Sequence, residues 1–273
     1  MKINGETICC EVEGQGPPVV LIHGWTLNLR MWDRQMKALS RRFRVIRYDR
    51  RGFGKSSGRE DLQWDGADLE ELLDHLDIDN AHILGMSQGG SVALRFVRTF
   101  PARARSLILH GSIPPEGYPL PWTGPDRIPM SEWRSLVKKS GLDAFRRDWS
   151  THPIMRVPDD RHDVQVALAD MIQAYRGERF LNPAKPSGPI GPATMDDLPR
   201  LTLPTLVVIG ETDVPYLQIA ARMFAYYLPN AQMAVIPGGG HMINLLEPER
   251  YNTTILRFLE NTQITGGEAG TFK

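Results

Sequence analysis

Short apolar runs alternate with amphipathic stretches through the first third of the chain. Val19-Val20-Leu21-Ile22, Arg44-Val45-Ile46-Arg47-Tyr48, Ala81-His82-Ile83-Leu84-Gly85 and Ser106-Leu107-Ile108-Leu109-His110 are runs of the length and composition found in buried strands. Between them, Leu69, Leu72, Leu73 and Leu76 recur at helical spacing and predict a helix over 68–76 with one apolar face. A second helix is predicted over 91–99, closing before Phe100-Pro101. An edge strand is predicted over 6–12, turned at Gly14-Gln15-Gly16. Strand–helix alternation of this kind predicts an α/β fold: a mostly parallel sheet flanked by helices.

The rhythm changes at Ile113. Residues 113–129 are rich in proline and glycine, helical patterns follow over 131–139, 142–149 and 160–175, and 182–192 is again rich in proline and glycine. With no strand signal in this stretch, 113–198 reads as a helical cap inserted into a core made of 1–112 and 199–273. Alternation then returns as a strand over 205–209, a helix over 216–228, a strand over 233–236 and a helix over 248–259. The polar tail, 262–273, is expected to fray.

Composition narrows the functions available. The 273 residues are 41% hydrophobic and 23% charged, as in an ordinary globular protein. Lys+Arg and Asp+Glu both number 32, so no charge excess points to nucleic acid or to an acidic membrane surface. No apolar segment is long enough to span a bilayer, and Met1-Lys2-Ile3-Asn4-Gly5 lacks a signal-peptide core. Cys9 and Cys10 are adjacent and point to opposite faces of a strand, which disfavours a disulfide and suits a reducing compartment. These features predict a cytoplasmic enzyme with no membrane or nucleic-acid partner.

Three chemical groups then fall in a telling order. Gly85-Met86-Ser87-Gln88-Gly89 spells G-x-S-x-G between a predicted strand and a predicted helix, which is the context of a nucleophile elbow. The tight turn pushes the Ser87 hydroxyl into a cleft. A serine needs a base, and His241 follows Gly238-Gly239-Gly240 at a strand end. The base needs an acid to fix its tautomer. Asp213, just past the strand over 205–209, is the first choice and Glu211, earlier in the same turn, the second. His75, His82 and His23 are read as structural. An oxyanion hole is expected from the main-chain N–H groups of Trp25, in His23-Gly24-Trp25, and of Gln88. Gly52-Phe53-Gly54-Lys55-Ser56 is read as a turn, because Asp49 stands where a phosphate loop needs glycine. No spacing suggests a metal site, and no cofactor is expected.

The combination of His23-Gly24-Trp25, Asp49-Arg50-Arg51-Gly52-Phe53-Gly54-Lys55-Ser56, the Ser87 elbow, the Asp213 turn and His241 resembles the α/β-hydrolase superfamily. Within it the chain looks most similar to carboxylesterases and 3-oxoadipate enol-lactonase-like hydrolases. The resemblance implies a helical cap, a Ser87-His241-Asp213 triad and hydrolysis of a small-molecule ester or lactone. Met86-Ser87-Gln88 departs from the more frequent His or Trp before the serine, which leaves the substrate subgroup open. The alternatives on the same fold are cofactor-free perhydrolysis of the haloperoxidase type, carbon–carbon bond hydrolysis, and a ligand receptor with negligible turnover.

A cap over the sheet's carboxyl edge would enclose an apolar pocket. Trp25, Met86, Val214 and Met242, as neighbours of the proposed catalytic residues, are expected to line it. Trp122, Trp133 and Trp149 are expected from the cap.

Overall fold

The computed structural model describes residues 1–183 and 185–267. Nine strands appear in chain order among them: β1 (Lys2–Ile3), β2 (Glu6–Thr7), β3 (Cys10–Glu13), β4 (Pro18–Ile22), β5 (Arg44–Tyr48), β6 (Ala81–Met86), β7 (Ala104–His110), β8 (Thr205–Gly210) and β9 (Ala231–Ile236). The helices are α1 (Asp33–Leu39), α2 (Leu62–His75), α3 (Gln88–Thr99), α4 (Met130–Ser140), α5 (Leu142–Ser150), α6 (His162–Ala174), α7 (Glu178–Leu181), α8 (Pro215–Tyr227), α9 (Ile243–Leu246) and α10 (Pro248–Gly267).

Strands β3 to β9 form a seven-stranded sheet in the order β3-β5-β4-β6-β7-β8-β9. Only β3 runs antiparallel, against β5. The central strands β4 and β6 are buried almost throughout, as a sheet covered on both faces requires. The chain order reverses across β4, with β5 on one side and β6 on the other. In open α/β sheets such a reversal opens a crevice at the carboxyl ends of the strands.

The edge strand over 6–12 does not form as one piece. The chain first makes a β1–β2 hairpin, turning at Asn4 and Gly5, both at positive φ. It then restarts at β3. The break falls where the Thr7 and Cys9 amides donate to the hydroxyls of Ser57 and Ser56 at 2.8 and 2.9 Å. Side chains of a distant turn take donors that a continuous ladder would have used. The thiols of Cys9 and Cys10 are free. The last helix outruns its expected end at 259 and reaches Gly267. The remainder of the tail, 268–273, lies outside the described residues. No helix among the described residues is long and apolar enough to cross a membrane.

Between β7 and β8 the chain contributes α4 to α7 and no strand to the main sheet. This segment is tied to the core through Trp25. The Trp25 ring packs against Trp133, Phe145, Trp149, Tyr175 and Phe180, with centroids 5.3 to 6.1 Å apart. Such pairs add about 0.5–1.5 kcal/mol each beyond burial. Two hydrogen bonds give the contact direction: Trp149 Nε1 donates to Thr26 Oγ1 at 2.7 Å, and Trp25 Nε1 to the Tyr175 hydroxyl at 3.3 Å.

Candidate active site

Ser87 stands between the end of β6 and the start of α3, capping α3 at φ 54°, ψ −117°. A non-glycine residue in that region costs about 1–3 kcal/mol and persists only where its surroundings enforce it. Here the Ser87 amide donates to the main-chain oxygen of His110 at 2.8 Å, and the Gly90 amide to the oxygen of Ser87 at 2.9 Å. Gly85 and Gly89 flank the turn because the backbone passes too close for a side chain. A Cβ on Gly85 would stand 2.2 Å from the oxygen of Gly89. The Ser87 hydroxyl makes no hydrogen bond among the described residues and faces a cavity of about 310 Å³.

His241 lines the same cavity, on the loop after β9. Its Nδ1 lies 3.0 Å from Asp213 Oδ2, and both side chains are buried. The Val214 amide donates to the other oxygen, Asp213 Oδ1, at 2.7 Å. The carboxylate is thus held at both ends, and the Nδ1–H tautomer leaves His241 Nε2 free to take a proton. Glu211, the second choice, turns toward the Gly238 amide at 3.4 Å.

Gly111 forms the floor under this pair. Its φ is +49°, and a Cβ there would come within 2.9 Å of the His241 ring and 3.2 Å of Asp213 Oδ2. Beside it, burial holds the His110 imidazole down at about 3, so it stays neutral. Nothing in the sequence pattern marks Gly111 or His110, because their roles depend on strands far away in sequence.

Trp25 and Gln88 also line the cavity. Neither main-chain amide has an acceptor among the described residues, so both are free donors at the cavity wall. The Gln88 side chain is held by Arg50, whose Nη2 donates to its Oε1 at 2.6 Å. Arg50 is fully buried, stacks over Phe53 and lies 3.7 Å from Asp65. Burial pushes the Asp65 carboxyl up to about 7, while the Arg50 charge pulls the other way. His23 supports the same loop: its Nδ1 donates to the oxygen of Gly24, and its Nε2 accepts the Arg50 amide. Both ring nitrogens are spent, which makes His23 a brace. His82 bonds Ser106, and His75 its own helix. Asp49 accepts the amides of Leu29 and Lys55, closing the turn that superficially resembled a phosphate loop.

Met86, Met242, Trp122 and Trp149 reach the cavity; Val214 and Trp133 do not. Val214 is buried beside Asp213 and serves it through its amide. Trp133 lies behind the wall, packed on Trp25 and Trp149, with Nε1 donating to Asp148 at 2.6 Å. Adjacency to Asp213 is what points to Val214, and aromatic bulk is what points to Trp133; neither specifies which way a side chain turns. Tyr216 and Arg179 line the cavity without having been expected. Tyr216 stacks on Trp122 with centroids 4.4 Å apart.

The model of the alpha/beta hydrolase fold family matches residues 17–248. The chain belongs to that family. It is similar to a non-heme chloroperoxidase of Kitasatospora aureofaciens, 32% identical over 90% of this chain and 93% of that one. Among solved structures it is similar to a bromoperoxidase from Bacillus anthracis, 30% identical, with a TM-score of 0.77 over 93% of this chain and 95% of the other. It is also similar to a thermophilic esterase from Thermogutta terrifontis, 28% identical, with a TM-score of 0.77 over 93% of both chains. As a member of this family the chain is a hydrolase-fold protein of the type that acts on small molecules.

Proposed function

We propose that the protein is a serine hydrolase that cleaves small or medium carboxylic esters or lactones, with 113–198 serving as the cap. The observation that carries this reading is a single cavity lined by the strained Ser87, by His241 paired with Asp213, and by the free amides of Trp25 and Gln88. In this reading Ser87 Oγ attacks the carbonyl carbon as His241 Nε2 takes its proton. That contact tightens when substrate is bound. The carbonyl oxygen gathers negative charge facing the two amides. His241 then protonates the departing alkoxide as the acyl C–O bond breaks. Water attacks the acyl-enzyme, losing its proton to His241, and Ser87 is regenerated. Asp213 stabilises the imidazolium throughout. The largely apolar lining suits a compact acyl or alcohol group.

A panel of p-nitrophenyl esters, aryl esters and lactones, run with wild type and Ser87→Ala, tests the proposal. Turnover of at least one class, abolished in the variant, is expected. Full turnover in Ser87→Ala would remove Ser87 as nucleophile.

The likeness to a chloroperoxidase and a bromoperoxidase favours one second reading. The same acyl-enzyme, formed from a carboxylic acid, would be attacked by hydrogen peroxide instead of water. The released peracid then oxidises halide to hypohalous acid and returns the carboxylate. Bromide oxidation by peroxide that requires added acetate supports it; equal rates without acetate exclude it.

A further inference from the structure

The main sheet ends in two unlike edges. At one end β3 is four residues long and carries Glu11 and Glu13. Charged side chains on a short edge strand discourage another chain from pairing with it. At the other end β9 reads Ala231-Gln232-Met233-Ala234-Val235-Ile236. It holds no charge, proline or glycine, and Gln232, Met233 and Val235 are exposed. The helix packed on it, α8, turns Ile219 and Tyr226 outward, and Tyr226 is 82% exposed.

Hydrogen bonds across the sheet fix which groups of β9 are left over. The Thr205 amide donates to the oxygen of Asn230 and the Glu211 amide to the oxygen of Ile236, so the even-numbered residues of this stretch face β8. The odd-numbered ones face away from the sheet. Among the described residues no acceptor meets the outward N–H groups of Met233 and Val235, and no donor meets the outward oxygens of Ala231, Met233 and Val235. The run is closed at both ends. The Ala231 amide is spent on the oxygen of Leu228 at 3.2 Å, and Pro237, the next outward position, has no N–H.

These free groups are self-complementary about Met233. A second β9 laid antiparallel, with Met233 opposite Met233, exchanges two N–H···O bonds at that position. On either side the Val235 N–H meets the Ala231 oxygen of the other copy, so every free donor finds an acceptor. The side chains suit this register, with the larger Val235 beside the small Ala231.

The surface at this end is large enough. Helix α8 joins β8 to β9 in the direction in which α3 joins β6 to β7, whereas α10 packs against α1, which leads the other way from β4 to β5. Right-handed crossovers put α8 and α10 on opposite faces. Three layers of about 10 Å each, along a strand about 20 Å long, give a face of about 600 Å² per copy. Two copies together bury about 1,200 Å², the lower bound for a stable interface.

We propose that the protein forms a two-fold symmetric dimer through β9, which joins two seven-stranded sheets into one continuous sheet. The partner is a second copy of this chain, because the free groups pair with themselves about one point, as a closed isologous contact requires. This inference is independent of the reading of Ser87.

Sedimentation equilibrium on the full chain tests it. In the micromolar range wild type should give twice the monomer mass of 30.8 kDa. Val235→Lys sets a charge on the edge, and Met233→Pro removes the central donor at an edge position that tolerates proline. Each should raise the dimer Kd by about tenfold or more while circular dichroism stays that of wild type. Val12→Lys, on the opposite edge, should leave the mass unchanged. A monomeric wild type, or a dimer that both β9 variants leave intact, overturns the proposal. A cross-link reads the register even if those variants misfold. In a Cys9→Ser, Cys10→Ser background, Met233→Cys places two thiols on Cα atoms about 5.5 Å apart, within reach of a short bismaleimide. A covalent dimer from Met233→Cys and none from Val12→Cys supports the two-fold at Met233. Equal linking at the two positions, or none at Met233→Cys, overturns it.

Discussion

The Nε2–H of His110 donates to the main-chain oxygen of His241 at 3.1 Å, while the main-chain oxygen of His110 itself accepts the amide of Ser87 at 2.8 Å. One residue at the end of β7 thereby links the elbow of the proposed nucleophile to the loop of the proposed base. The Tyr251 hydroxyl, 3.3 Å from His110 Nδ1, completes the neutral tautomer.

His110→Ala should therefore lower kcat more than it raises KM. Misplacement of a base by about 1 Å can cost about 100-fold, and the cavity together with the orphaned partners should cost about 2–4 kcal/mol of stability. His110→Gln, which can present an amide N–H toward His241, should recover part of kcat. Steady-state kinetics alongside denaturant melts would check this. If kcat is untouched while stability falls, His110 is only a packing residue.

Asp213→Asn preserves shape but lets the amide donate toward His241, selecting the wrong tautomer. Comparable substitutions in serine–histidine–aspartate sites lower kcat about 10⁴-fold with geometry intact. A loss of about 10³–10⁴-fold in kcat is expected here, with KM little changed. A kcat within an order of magnitude of wild type would mean that Asp213 does not orient the base.

Gly111→Ala places a Cβ against the His241 ring at a positive φ. The backbone strain should cost about 1 kcal/mol or more, and the displaced imidazole should lower kcat by at least about tenfold. Gly117→Ala, also at positive φ but in open space, is the control for strain alone. Equal kinetic effects at the two positions would contradict the assignment of Gly111 as the floor of the site.

Acid should destabilise the fold before it protonates most carboxylates. Burial lowers the imidazoles of His110 to about 3 and of His82 to about 4, and lowers His23 well below its ordinary value. Below pH 6.5 the unfolded chain binds protons that these folded side chains refuse. Their stabilising contribution is thus complete above pH 6.5 and is lost as pH falls, by about 1.4 kcal/mol per pH unit for each histidine. Asp65, raised to about 7, acts in the opposite direction, since its folded form holds a proton that the unfolded chain releases. Burial also lowers His152 and raises Asp49, so four histidines stand against two carboxyls and the balance remains a net loss. Tm measured from pH 7 to pH 5 should fall, and His82→Gln should flatten the fall. A flat or rising Tm across that interval would contradict these protonation states.

Much of the architecture was legible because buried parallel strands must be apolar runs and their connecting helices must be amphipathic. The strand over 44–48 and the helices over 131–139 and 142–149 were located to within a residue or two at each end. The edge strand over 6–12 was misread for a reason invisible locally: its donors are claimed by Ser56 and Ser57, some fifty residues away. Ser87, Asp213 and His241 stand out in the sequence because a strand–turn–helix pattern and a chain order leave local marks, and the structure brings Ser87 and His241 to one cavity with His241 Nδ1 3.0 Å from Asp213.

The sequence by itself determined the fold class, and it singled out Ser87, Asp213 and His241 as the proposed triad, since local pattern and local turn geometry encode such features. Only the tertiary structure decided what surrounds those residues. It turned Trp133 away from the cavity and Trp149 into it, set Val214 to serve Asp213 through its amide, put His110 and Gly111 beneath His241, and left the outward donors of β9 unpaired among the described residues. The physical reason is that a side chain's direction and its remaining hydrogen-bonding capacity depend on partners contributed by strands and helices distant in the chain.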